Sequence, residues 1–247
     1  QRQELLRADR LVTIGKMAAQ ITHEVRNPLS SIGLNTEMLE EELGESEEAR
    51  QLLNAVQREV HRLKAITEEY LRFARLPKPA MAPVSVTVTL ESLLVFLTHE
   101  LAEAEITIDT TGLKRDLPEV LADEDQLRQA FLNVARNAIE ALKEVPTPRH
   151  LRVATGHDEG GVSVSFADDG PGVAIQIVDR IFEPFVTGKS GGTGLGLALT
   201  QQVIVDHGGT ISVARSADCE ASEERPGTRF TITLPLTSAG SVVGGAQ

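Results

Sequence analysis

The stretch FEPFVTGKSGGTGLGLAL, Phe182 to Leu199, decides how the rest of the chain is read. Gly188, Gly191, Gly192, Gly194 and Gly196 run directly into an apolar helical pattern. The start of a helix offers amide N–H groups without intrahelical partners and the positive end of the helix dipole, and both hold phosphate. The spacing is neither a Walker A loop, which ends in GK[ST], nor the GxGxxG that follows a strand in dinucleotide folds. Lys189 and Arg180 supply local positive charge in a chain whose formal net charge is −12. A glycine-rich loop that only joins two elements is the plainer reading, so the flanking sequence has to decide.

Upstream, Asp168-Asp169-Gly170-Pro171-Gly172 ends an alternating run through Val162, Val164 and Phe166. Asp, Gly and Pro are turn residues, and a turn is one reading. The other is chemical: a carboxylate at a strand end accepts a hydrogen bond from an exocyclic amine, and two glycines let the backbone approach a flat base. Earlier still, NVARNAIEA sets Asn133 and Asn137 four apart on one helix face, with Arg136 beside the second. These are either solvated amides in a helix-stabilising contact or ligands. An amide oxygen is a hard neutral donor suited to Mg²⁺, and Arg136 could then meet phosphate charge.

Val84, Val86 and Val88, then Ile106 and Ile108, then Val162 to Phe166 show the period of half-buried strands. Helical patterns lie between, at about 90–104, 123–144 and 194–207. The expected architecture over 84–236 is an α/β sandwich, with helices on one face of a mixed sheet. Pro77, Pro79 and Pro83 (LPKPAMAP) predict a linker over 77–83, because proline removes donors and stops helices. Residues 237–247 are small and glycine-rich and read as a flexible tail.

Residues 1–76 read as two helices. Leu11, Ile14, Met17, Ala18, Ile21, Val25, Ile32 and Leu39 form one apolar stripe, and Leu52, Val56, Val60, Leu63, Tyr70 and Phe73 form another. The short break at Gly44-Glu45-Ser46 predicts an antiparallel helical hairpin. Two helices with one stripe each do not bury both alone, and a second hairpin completing a dimeric four-helix bundle would.

His23 lies on the first helix within THEVRNPL. A lone helical histidine is an ordinary solvated side chain unless its surroundings argue otherwise. Here the apolar stripe passes through Ile21 and Val25, so His23 should face solvent, and Asn27 shares its face one turn on. Glu24 can hold one ring nitrogen and leave the other as a nucleophile. Pro28 bends the axis just beyond. This is either a tolerated kink or a helix built to flex beside an exposed histidine.

The 247 residues are 41% hydrophobic but only 3% aromatic, with no Trp, so the cores must be aliphatic. Lys plus Arg number 24 against 36 Asp plus Glu, which argues against nucleic acid as a partner. One cysteine, Cys219, closes no disulfide within the chain, and no apolar run approaches the ~20 residues of a membrane span. A cytoplasmic location is expected, for a fragment of something longer. His61, His99, His150, His157 and His207 lack motifs and read as structural or solvated.

Together these segments resemble the transmitter core of the two-component sensor histidine kinases over about residues 8–236. LVTIGKMAAQITHEVRNPLSSI is similar to the phosphoacceptor box of a HisKA-type dimerisation domain, with HEVRNPL nearest the nitrogen-regulator sensors. QAFLNVARNAIEAL resembles the N box, DDGPGV the G1 box, IFEPFVTGK the F box, GGTGLGLAL the G2 box, and GTRFTITLP the closing strand of a GHKL-type (Bergerat) domain. The resemblance implies a homodimer that uses ATP and Mg²⁺. His23 would take the γ-phosphate, with Glu24 as base, and pass it to an aspartate of a response-regulator receiver domain. Asn27 would orient water for dephosphorylating that regulator. It implies Asn137 as Mg²⁺ ligand, and Asn133 and Arg136 against phosphates or the ion's waters. Asp168 would take the adenine amine, with Gly170, Gly172 and Thr228 lining that place. Phe182 to Gly194 would form the lid, where Lys189, Gly192, Thr193, Gly194, Leu195 and Gly196 meet the phosphates. Any membrane tether would belong to segments preceding this sequence. Asp169 departs from the commoner Asn, which bears on local ion affinity, and the lid is short.

Two rivals remain at this stage. One is an ATPase or protein serine kinase of the same nucleotide-binding fold, which would lack the His-Glu-x-x-Asn-Pro helix. The other is a non-catalytic dimeric scaffold, which would not need every box filled by its usual residue type.

Overall fold

The computed structural model describes residues 29–39, 47–74, 76–189, 192–216 and 225–236. His23, Glu24, Asn27, Cys219 and the expected tail lie outside them. The chain divides into two compact units, Gln1–Lys78 and Pro79–Gln247. Among the described residues no helix is long and apolar enough to cross a membrane.

In the first unit residues 29–39 are helical (α1), and Glu47–Ala74 form α2. The two meet where Gly33 faces Val60: a Cβ on Gly33 would lie 3.6 Å from Val60 Cγ1. Leu29, Thr36 and Leu53 are buried, whereas Ile32, Leu39, Leu52, Val56 and Leu63 from the two stripes are exposed. Among the described residues, much of the apolar surface of α1 and α2 is therefore uncovered.

The second unit opens with β1 (Ala82–Val84), α3 (Val86–Glu103), β2 (Ile106–Gly112), β3 (Val120–Ala122) and α4 (Glu124–Lys143). It continues with β4 (Arg149–Asp158), β5 (Gly161–Asp168), α5 (Gly196–Asp206), β6 (Thr210–Arg215) and β7 (Thr228–Leu234). A five-stranded sheet runs β2-β4-β5-β7-β6, parallel between β2 and β4 and antiparallel elsewhere, and β1 pairs separately with β3. α3 packs on β2, α4 on β4 and β5, and α5 on β6, which gives the expected sandwich. The core is aliphatic except for Phe131, Phe166 and Phe230, with the rings of Phe131 and Phe166 6.3 Å apart.

The alternating valines near residue 86 mislead. Only Val84 is in a strand; Val86 opens α3 and Val88 is exposed on it. Val86, Leu90, Leu93, Leu97 and Leu101 recur at helical spacing and are all buried, and this longer periodicity outweighs the weak strand preference of three β-branched residues. Thr87 and Thr89 add hydroxyl bonds to the carbonyls of Lys114 and Ser85. Ala82 and Pro83, the end of the segment read as linker, belong to β1.

α4 carries the N-box residues and is well anchored. Asp123 at its N-cap accepts from the Gln126 amide (3.1 Å) through Oδ1 and from the Ala80 amide (2.9 Å) through Oδ2. The Asp123 amide donates to Nε2 of buried His207 at 2.9 Å, and His207 Nδ1 lies 2.7 Å from the Val203 carbonyl. His207 thus ties the end of α5 to the start of α4.

Candidate functional site

Asp168 continues the helix-facing row of β5 behind Val162, Val164 and Phe166, and it is buried like them. Its Oδ1 accepts from the amides of Gly170 (2.9 Å) and Thr228 (3.3 Å), the latter opposite it in the β5–β7 register. Oδ2 takes part in neither bond. Burial pushes this carboxyl up to about 6, aided by the Asp169 charge and opposed by the two amides and Lys189. The carboxylate is therefore poised to gain from a further donor.

Gly170 sits against α4: a Cβ there would lie 2.9 Å from Asp168 Oδ1 and 3.3 Å from Ala141 Cβ. The turn is latched to the approach of β7 by the Gly227 amide on the Gly170 carbonyl (3.1 Å). Gly172, at φ +77, packs on Pro226.

Asp169, flagged in the sequence for ion affinity, points elsewhere. It accepts from the His150 amide (2.8 Å), meets His150 Nδ1 (3.1 Å) and pairs with Arg225 (3.2 Å). Its role here is to anchor the turn to β4 and to the start of the β7 approach.

On α4, Asn137 Oδ1 accepts from Lys189 Nζ at 2.9 Å, and the same ammonium pairs with Glu140. Asn133 Nδ2 reaches the Gly196 carbonyl (3.4 Å) and Thr200 Oγ1 (3.5 Å), so it braces the first turn of α5. Arg136 is drawn to Glu100 of α3 (3.4 Å) and does not join the Lys189 cluster.

The lid has a closed neck. The Phe185 amide donates to the Gly194 carbonyl at 3.0 Å, and both residues have positive φ. Phe182 stands edge-on to Phe230 of β7, ring centres 6.4 Å apart, which fixes the base of the lid to the sheet. Within the lid, the Lys189 amide donates to Thr187 Oγ1 and Gly192 approaches the same hydroxyl. Leu195 is fully buried at the N-cap of α5, its amide 3.3 Å from Thr193 Oγ1, and α5 begins with no side-chain cap. Its first turn follows directly on residues 192–195, and an uncapped helix start of this kind offers free amides and a positive dipole end to an anion.

Two family models match the chain. One, "His Kinase A (phospho-acceptor) domain", covers residues 13–79; the other, "Histidine kinase-, DNA gyrase B-, and HSP90-like ATPase", covers 122–238. The chain is 35% identical over 233 residues to the sensor histidine kinase ZraS of Escherichia coli K12, covering 94% of this chain and 48% of the relative. It is 35% identical over 239 residues to the sensory histidine kinase/phosphatase NtrB of Rhodobacter capsulatus (89% and 61%). The chain belongs to the sensor histidine kinases.

It spans about half the length of the ZraS relatives. Among solved kinases, full-length ShkA in complex with AMPPNP superposes with TM-score 0.72 at 30% identity, covering 91% of this chain and 46% of that one. ThkA in complex with the response regulator TrrA gives TM-score 0.66 at 25% identity, covering 96% and 66%. In this histidine kinase the sequence reading overlooked Glu140, Thr200, His150 and Arg225. Glu140 was within reach, because Asn133, Asn137 and Glu140 share one face of α4 at i, i+4 and i+7.

Proposed function

We propose that this chain autophosphorylates His23 from ATP and passes the phosphoryl group to an aspartate of a response-regulator receiver domain. The observation that carries this reading is the convergence on one ATPase unit of a buried carboxylate at the end of β5, an uncapped α5 N-terminus and a lid ammonium beside Asn137.

In that unit Asp168 accepts from the adenine amine, with Gly170, Gly172 and Thr228 shaping its surroundings. The first-turn amides of α5, Thr193, Gly194, Gly196 and Lys189 meet the phosphates. The Asn137 amide oxygen with the Glu140 carboxylate is a hard donor set that fits Mg²⁺. Among the described residues no three His, Cys, Asp or Glu side chains gather for a metal, so phosphate oxygens and water would complete its shell. When bound, the ion neutralises charge on the phosphates.

At His23 an N–P bond forms as the bond between the γ-phosphorus and the β–γ bridging oxygen breaks. ADP leaves and Glu24 takes the ring proton. Such transfer asks mainly for positioning and charge neutralisation. The exposed apolar residues of α1 and α2 support a homodimer of the phosphoacceptor unit. The NtrB relative, named a kinase/phosphatase, and the His-Glu-x-x-Asn motif support a second activity, in which Asn27 orients water on the phosphorylated regulator.

The test is His23→Gln. Acid-labile phosphate incorporation from ATP should vanish while nucleotide binding survives; label persisting in the variant would overturn the assignment. For the second activity, Asn27→Ala should lose regulator dephosphorylation and keep autophosphorylation, and equal loss of both would refute it.

A further inference from the structure

The Lys189 ammonium stands on two oxygens of α4: the Asn137 amide at 2.9 Å and the Glu140 carboxylate. A divalent ion would use the same two donors. Mg²⁺ binds oxygen at about 2.0–2.1 Å and demands a regular shell. An ammonium within hydrogen-bond distance of the same amide would hold like charges within about 4 Å of each other, a repulsion of several RT at a surface-like dielectric. The two cations therefore exclude one another at Asn137.

The surroundings let the lysine leave without dismantling the lid. Its side chain is about one-third exposed (35%) and that of Glu140 about half (56%), so neither charge is trapped. The lid is pinned at its neck by Phe185 and Gly194, so Nζ can swing while the chain ends stay fixed. Glu140 lies one turn beyond Asn137, and once released its carboxylate can hold a water of the incoming ion.

We propose that Lys189 is the resident cation of the Asn137–Glu140 oxygen pair, that Glu140 is the positioning residue keeping it there, and that a divalent ion arriving with nucleotide replaces it. The displaced ammonium is then delivered as a point charge to the phosphates. The lysine keeps the acidic site neutralised when empty and couples ion arrival to lid rearrangement. The exchange rests on the Mg·nucleotide reading above, but the tether does not.

Wild type, Glu140→Gln and Glu140→Asp of the whole chain are compared in two arms. The first needs no nucleotide: amide hydrogen exchange of lid residues 185–189 in EDTA. Glu140→Gln should raise exchange about three- to fivefold, the scale of a part-exposed ion pair, and Glu140→Asp should restore most of the protection. Identical exchange in all three overturns the tether.

The second arm is equilibrium binding of AMPPNP in EDTA and in excess Mg²⁺. Glu140→Gln should tighten metal-free binding about three- to fivefold, because the lysine is released to the phosphates and one negative charge is gone. The affinity gained on adding Mg²⁺ should shrink by a similar factor. An unchanged gain overturns the cation exchange. A wild-type chain that binds AMPPNP in neither buffer overturns the nucleotide reading itself, and the first arm still decides the tether.

Discussion

The backbones of Phe185 and Gly194 touch: the Phe185 amide donates to the Gly194 carbonyl at 3.0 Å, and a Cβ on Gly194 would fall 2.6 Å from the Phe185 carbonyl carbon. Phe185 itself holds φ +68, a conformation that non-glycine residues rarely adopt. This contact holds Phe185 and Gly194, the two ends of the lid, against each other. It also sets the direction from which Leu195 enters the core and α5 begins.

Gly194→Ala should therefore open the neck. The left-handed backbone alone costs about 1–2 kcal/mol for an alanine, and the clash with Phe185 adds to it. AMPPNP affinity should fall by at least about tenfold. Gly208, also left-handed at φ +71 but with open space beyond Pro235, is the control. Gly208→Ala should lower the melting temperature by a few degrees and leave affinity unchanged. Equal affinity loss in both variants would show that the neck has no special part in binding.

Asp168 gives a pH signature. Its folded value of about 6 lies above the ordinary 3.8, so the native state binds more protons than the unfolded chain between those values. Stability contributed by this group consequently falls as pH rises through that window, and the full penalty applies above about 6. Asp168→Asn should raise unfolding free energy at pH 8 by on the order of 1–3 kcal/mol, and by much less near pH 4. The same change should abolish adenine nucleotide binding, because the amide presents a donor to a donor. Denaturant melts at the two pH values with AMPPNP titration at pH 8 check both halves; a variant less stable at pH 8 would mean the carboxylate is not under strain.

Much of this was legible in the sequence because its signals are local. The Gly-rich entry to α5, the Asn133/Asn137 spacing and the Asp-Asp-Gly-Pro-Gly turn each sit within one element or its end. The order of the sheet was harder to read from alternation alone, since β2 pairs with β4 and β5 with β7 across long stretches of intervening chain. Of the alternating valines, Val84 is in a strand, whereas Val86 and Val88 are helical because the short alternation competes with a buried stripe extending to Leu101. What could not be read was orientation. Asp168 and Asp169 are neighbours of one type, yet strand pleat turns the first toward the helices while His150 and Arg225 claim the second. Likewise Arg136 and Lys189 both read as phosphate partners, and only the packing of α3 beside α4 shows Arg136 held by Glu100.

The phosphoacceptor unit yields the last prediction. Leu52 is 70% exposed and Val56 44%, one turn apart on α2, with Leu34 and Met38 similarly uncovered on α1. A monomer would keep this surface in water; a second copy brought against it would bury these side chains in both copies by symmetry. Burial of a Val or Leu contributes about 1.5–3 kcal/mol, so placing glutamates at both positions removes several such terms and puts four charges into the seam. Leu52→Glu/Val56→Glu should weaken self-association by at least about three decades in Kd. Sedimentation equilibrium should show the parent chain as a dimer and the double variant as a monomer at the same concentration. AMPPNP binding to the separate ATPase unit should be unaffected in that variant, which distinguishes dissociation from general unfolding. A parent chain that sediments as a monomer would refute the homodimer, and a double variant that remains dimeric would place the partner surface elsewhere on the molecule.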